Sequence, residues 1–348
     1  MSEPTVLFEP RGGAGVITLN RPKALNALTL DQIRQIDPAL QRWAADPSVA
    51  TVVIEGAGEK AFCAGGDIRA LYDAASAGDI AFLADFYREE YRLNRRIKTY
   101  AKPYVALIDG ITMGGGVGLS VHGRYRVATE RTLFAMPETG IGFFPDVGGT
   151  FFLPRCPGKI GLYLGLTGAR LKAADMLYTG IATHHVPSSA IEDLKAALAD
   201  ITDAADADLQ VQAVLARFHQ DPGPAPLAAK RTLIDRLFAG DSLDAVLSAL
   251  EADPDPWAAE TLKTIRTKSP YALAVTFRQL RDGAGLDFDQ AMALEFTLGL
   301  HVAAAPDFRE GVRAVIVDKD NAPQWQPPGA LSVDEAFGPH PAGTLTFE

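Results

Sequence analysis

Thr51–Glu55 is a compact β-branched run without an alternating pattern, and Tyr104–Ile108 and Tyr125–Ala128 read as two further buried strands. A strand with one wet face alternates; one that does not alternate is buried on both faces and needs a layer on each side. Helical stretches separate these runs, so the covering layers are helices and the connections are crossovers. The expected class is therefore α/β. Val6–Glu9 and Gly15–Leu19, split by Arg11-Gly12-Gly13, read as a hairpin ahead of this layer. Thr29-Leu30-Asp31-Gln32 forms a capping box, which predicts a helix running towards Trp43 with Ile33, Ile36 and Leu40 inward and Pro38 as a point of kinking. A longer helix is expected over 79–98. After about Gly158 the chain turns rich in alanine and leucine, interrupted by the loop signals Pro222–Pro226 and Asp253–Pro256. The expected organisation is an α/β body over 1–190 and a mainly helical region over 191–348.

Composition narrows the partners. The 348 residues are 47% apolar and carry a net charge of −10, so the overall field does not attract nucleic acid. A polyanionic ligand would need a local basic patch. Cys63 and Cys156 are the only cysteines and share no CxxC spacing, so neither a disulfide framework nor a zinc site is expected. No stretch reaches the roughly 18 apolar residues of a membrane span. Met1 leads almost directly into Val6-Leu7-Phe8, without the basic and apolar regions of a secretory signal. Together these features point to the cytoplasm, with no membrane and no nucleic-acid partner.

Three segments carry chemistry. Ala61–Asp67 (with Ala64, Gly65, Gly66) and Asp109–Gly118 (with Gly114, Gly115, Gly116) each follow a buried strand. Glycine lets the backbone approach a ligand and turn its N–H groups inward, and a loop that opens a helix presents unpaired N–H groups. Two such loops together could hold an oxyanion; alone, each is equally a tight turn, and neither has the GxxxxGK[ST] or GxGxxG form. The third segment runs from Met136 to Gly149. Glu138 and Asp146 lie eight residues apart there, each directly after proline in apolar, glycine-rich surroundings. Desolvation would raise their pKa, which suits acid–base work. On the residues alone, helix capping is the simpler role for Asp146, and a first-turn position is open to Glu138.

In this order the three segments resemble the crotonase, or enoyl-CoA hydratase/isomerase, superfamily. Asn20–Leu28 is similar to its N-terminal coenzyme A loop. Gly118–Gly123, Phe144–Gly149 and Glu310–Asp320 resemble the 3-hydroxyisobutyryl-CoA hydrolase subfamily. The resemblance implies a spiral of ββα units followed by a helical C-terminal region. It implies hydrolysis of an acyl-CoA thioester in valine breakdown, with 3-hydroxyisobutyryl-CoA as substrate and 3-hydroxypropionyl-CoA as a second candidate. The backbone N–H groups of Gly66 and Gly115 would form the oxyanion hole, and Glu138 would act as base or nucleophile. Asp146 would contact the substrate hydroxyl or position water. The second hydratase glutamate should fall at Gly118, which has no side chain, and this departure argues against hydration. Arg21, Lys23, Ala64, Gly65, Asp67 and Gly114 are the implied coenzyme A contacts. No cofactor or metal is expected, coenzyme A being part of the substrate, and self-association stays open. Cys63 and His122 are expected to pack, His184-His185 to lie on a strand or loop, and Phe82–Arg96 to form an amphipathic face that could also line an acyl pocket.

Overall fold

The computed structural model describes residues 3–347, so Met1, where the N-terminal reading begins, lies outside it. The hairpin strands are β1 (Val6–Arg11) and β2 (Ala14–Leu19), paired antiparallel. Helix α1 (Leu30–Ala45) starts at the predicted box, with the Thr29 hydroxyl accepting from the Gln32 N–H and the Gln32 side chain returning to the Thr29 N–H. It continues through Pro38 and buries Ile33, Ile36, Leu40 and Trp43. Strands β3 (Thr51–Gly56), β5 (Tyr104–Ile108) and β7 (Tyr125–Ala128) then add in parallel beyond β2. With β9 (His184–His185) they complete a sheet of order β1-β2-β3-β5-β7-β9.

Between these strands come β4 (Ala61–Cys63), β6 (Ile111–Met113) and β8 (Leu133–Ala135), which form a separate three-stranded sheet. Each successive pair thus sends its first strand to the large sheet and its second to the small one. Helices α2 (Ile68–Ala77) and α3 (Ile80–Lys98) follow the first pair, and α4 (Gly115–Ser120) the second. This is the expected spiral of ββα units.

Residues cluster into two compact units that alternate along the chain. The first takes the chain up to Gly66, Arg92–Phe134 and Leu171–Ala228; the second takes Asp67–Tyr91, Ala135–Arg170 and the chain from Ala229 onward. In the first, Val53, Val105 and Val127 of the large sheet are buried against Leu194 and Leu198 of helix Ile191–Ala199 and Val211 and Leu215 of helix Ala207–Phe218. Continuous apolar strands form because this helical layer removes one whole face from water. All named elements after β9 are helical, as the composition beyond 190 suggests. Among the described residues, no helix is long and apolar enough to cross a membrane.

Candidate active site

Within the first unit, three of the predicted segments meet. The 21–28 loop lies against the loop after β4: the Ala64 N–H donates to Leu25 and the Leu28 N–H to Gly65, both through backbone carbonyls, and Leu28 and Gly66 form a parallel bridge. Leu25 and Asn26 both adopt positive φ, and the buried Asn26 side chain holds that shape. Its amide donates to the carbonyls of Ala57 and Ala61 at 2.9 Å, while its oxygen accepts the Arg21 N–H at 2.9 Å. Asparagine suits this place because its short polar side chain tolerates the left-handed region. The Arg21 guanidinium donates to the Ala27 carbonyl at 2.6 Å, and Lys23 stands exposed on a short turn, Pro22–Ala24.

The loop after β6 joins the same group. A Cβ on Gly116 would collide with the Cys63 carbonyl oxygen, so only glycine allows α4 to begin that close to β4. Gly114 caps α4 with φ +45°, and Gly115 is its first residue. Its N–H is therefore among those with no partner inside the helix. Gly118, on the same helix, is buried. Cys63 packs at the end of β4, as expected, with its thiol 3.5 Å from the Gly65 carbonyl oxygen.

The second unit holds the carboxylates. Asp67 is its first residue, and its side chain accepts the Ala70 N–H as the cap of α2. Glu138 opens a short turn, Glu138–Ile141, so the first-turn position is the one it takes. Its carboxylate is not a cap, however. It is 6% exposed, and Oε2 is buried with no hydrogen-bond partner. Burial, then the nearby charge of Asp146, push Glu138 well above the usual carboxylate range. The turn is locked from behind: a Cβ on Gly311 would strike the Ile141 backbone, and one on Gly142 the Asp307 carbonyl. The subfamily-like segment near Glu310 thus packs against the turn that carries Glu138.

The capping expectation for Asp146 is overturned. The short helix α5 (Gly149–Phe152) is capped by Gly148, with no side-chain cap, because the strained turn through Val147 and Gly148 aims the aspartate elsewhere. Asp146 instead accepts the Tyr91 hydroxyl at 2.8 Å. Burial pushes it up to about 7, against the opposing pull of that hydroxyl.

Three further buried groups belong to this environment. Tyr91 and Glu90 lie on α3, in the stretch read as an amphipathic face; Glu90 Oε1 is buried without a partner, and burial, then Asp146, hold its proton. Glu90 is hidden among the charged neighbours Arg88, Glu89 and Arg92, although it falls on the inward stripe four residues after Phe86. Glu295, on helix Phe288–Ala304, accepts the N–H groups of Gly148 at 2.7 Å and Thr150 at 2.8 Å. A lone carboxylate within the apolar run from Ala291 to Leu300 is the signal that could have found it. Burial and then Asp146 raise Glu295 to about 8. Four of the unit's buried carboxylates, Glu90, Glu138, Asp146 and Glu295, are thus raised above the usual range, a pattern that clusters at sites of acid–base chemistry.

A family model described as enoyl-CoA hydratase/isomerase matches residues 14–338. The mitochondrial 3-hydroxyisobutyryl-CoA hydrolase of Danio rerio is 51% identical over 335 residues, covering 95% of this chain and 87% of its own. That of Homo sapiens is 46% identical, covering 95% and 86%. Among solved structures, an enoyl-CoA hydratase from Rhodobacter sphaeroides 2.4.1 superposes with a TM-score of 0.90 at 43% identity, covering 99% of this chain and 100% of the other. The expected cytoplasmic address is overturned by the hydrolase relatives, which are named as mitochondrial. An acidic, cysteine-poor chain without a long apolar run suits either compartment, so composition could not separate them.

Proposed function

We propose that this chain, which belongs to the enoyl-CoA hydratase/isomerase family, hydrolyses the thioester of 3-hydroxyisobutyryl-CoA to the free hydroxy acid and coenzyme A. One observation carries the substrate: relatives bearing that hydrolase name match 95% of the chain at 46–51% identity. The step belongs to valine breakdown, and the relatives' names point to the mitochondrion. The solved relative named as a hydratase suggests hydration as a second reading. Gly118 disfavours it, because hydration would need a second carboxylate there.

In the proposed mechanism, the N–H groups of Gly66 and Gly115 receive the thioester oxygen as it gains charge, each worth roughly 10²–10³ in rate. Glu138 either takes a proton from the attacking water or attacks the carbonyl itself, giving an anhydride that water cleaves. In both routes water supplies the new oxygen, the C–S bond breaks, and the sulfur leaves with a proton. A carboxylate held dry with one oxygen unpartnered is a stronger base once ionised, which supports Glu138 in this role. Asp146 contacts the substrate hydroxyl or the water. Arg21, Lys23, Ala64, Gly65, Asp67 and Gly114 serve the coenzyme A portion. Coenzyme A enters as part of the substrate, and an activated thioester needs no separate cofactor. The 3-hydroxypropionyl thioester lacks one methyl, a difference of about 1–3 kcal/mol, so it should turn over more slowly.

The test is free-thiol release from 3-hydroxyisobutyryl-CoA, with acetyl-CoA and crotonyl-CoA as controls. Selective release that drops by about 10²–10⁴ in Glu138→Gln is expected. A folded wild type that releases no thiol but consumes crotonyl-CoA would transfer the assignment to hydration.

A further inference from the structure

The segment from Pro145 to Thr150 is held in a conformation that its own residues disfavour. Val147 has φ +48°, a left-handed value that β-branched side chains rarely adopt, and Gly148 follows at +92°. Such strain persists only where surrounding contacts over-determine it. Those contacts come from two C-terminal helices. From helix Pro270–Gly283, the Gln279 amide donates to the Pro145 carbonyl at 2.7 Å and to the Thr150 hydroxyl at 2.8 Å. From helix Phe288–Ala304, the Glu295 carboxylate accepts from Gly148 and Thr150. The gripped residues, at 145, 148 and 150, bracket Asp146.

We infer that Glu295 is a positioning residue for hydrolysis: with Gln279 it clamps the strained 145–150 loop and so fixes where the Asp146 carboxylate stands. The inference rests on the hydrolase assignment and deepens it. A carboxylate suits the task because both of its oxygens accept, and both N–H groups point at it. Glutamine in its place would turn an NH₂ towards one of those donors, forfeiting that bond and loosening the loop. Glu295 also shares its surroundings with the ionisable groups that face it, Asp146 on the loop and Glu90 and Tyr91 on α3. Burial, then the charge of Asp146, raise Glu295 to about 8, and burial raises Asp146 to about 7, so the two groups favour ionisation at different pH.

The experiment compares wild type with Glu295→Gln in the thiol-release assay over pH 5.5–9.5, alongside thermal unfolding. Wild-type turnover in the same plate secures the hydrolase assignment independently of the variant. Misplacing a group by about 1 Å costs on the order of 10²-fold in rate. The expected variant is folded, about a hundredfold lower in kcat with KM little changed, and its pH profile loses one of two inflections. A folded variant with wild-type kcat, or a slower one whose profile superimposes on that of the wild type, would overturn the inference. Should Glu295→Gln not fold, Gln279→Met decides, since it removes the other half of the clamp without altering charge. A drop of about tenfold in kcat with both inflections retained supports the clamp; unchanged kcat refutes it.

Discussion

Tyr91 shows how one hydroxyl sets the working range of a buried acid. Burial raises Asp146 to about 7, and the Tyr91 hydroxyl at 2.8 Å is what opposes a further rise. A hydrogen bond to a charged group contributes roughly 1.5–3 kcal/mol, and 1.36 kcal/mol corresponds to one pH unit. If ionised Asp146 is the active form, kcat/KM climbs as pH rises through about 7. Tyr91→Phe should move that climb upward by about one pH unit or more, read from the pH dependence of thiol release. A climb that stays in place would mean that Asp146 is not the group being titrated. The sequence alone shows Glu138 and Asp146 as unusual, since each follows a proline in an apolar stretch. It does not show Tyr91 or Glu295 as their neighbours, because those contacts span 55 and, from Gly148, 147 residues of chain.

Elements built on local rules were the readable ones. The Thr29 box, the double-buried strands and the β1–β2 hairpin each depend on residues a few positions apart, and each formed where expected. The cap assigned to Asp146 failed for the opposite reason. A helix of four residues is too short to dictate its own start, and the loop before it answers to distant helices instead. Two substitutions probe this level. Gly116→Ala places a Cβ on the Cys63 carbonyl oxygen, where backbone and not a flexible side chain must yield. Overpacking of this kind costs about 1–3 kcal/mol, measurable by urea unfolding, and should lower activity through Gly115 beside it. Leu198→Ala, in the helical cover of the large sheet, removes a fully buried side chain and should cost about 2–5 kcal/mol. It should leave kcat of the folded fraction unchanged.

Taken together, the buried carboxylates give the molecule a defined response to pH. Asp146, Glu295, Glu138 and Glu90 are all held above the usual range, chiefly by burial. A group so raised contributes its full stability while protonated in both states, below about pH 4, and loses it as pH climbs through its native value. Stability should therefore fall as pH rises from about 4 and level off once it passes about 7 for Asp146 and about 8 for Glu295. Glu310 and Asp320 run the other way: hydrogen bonds from Arg313 lower both, and what they contribute is lost in acid. Urea midpoints measured from pH 5 to 9 should fall towards the alkaline end, and less so in Asp146→Asn; a flat profile in wild type would show that these groups ionise without strain. The alternation of the two units has a different consequence, in the order of synthesis. The chain passes between them five times, and helix Ala207–Phe218, which covers the large sheet, follows its last long strand by about 80 residues. At roughly 5–20 residues per second, a ribosome needs about 4–16 s to deliver that cover. For that interval the nascent chain carries an uncovered apolar sheet face, and molecular chaperones are the natural means of keeping it from its neighbours.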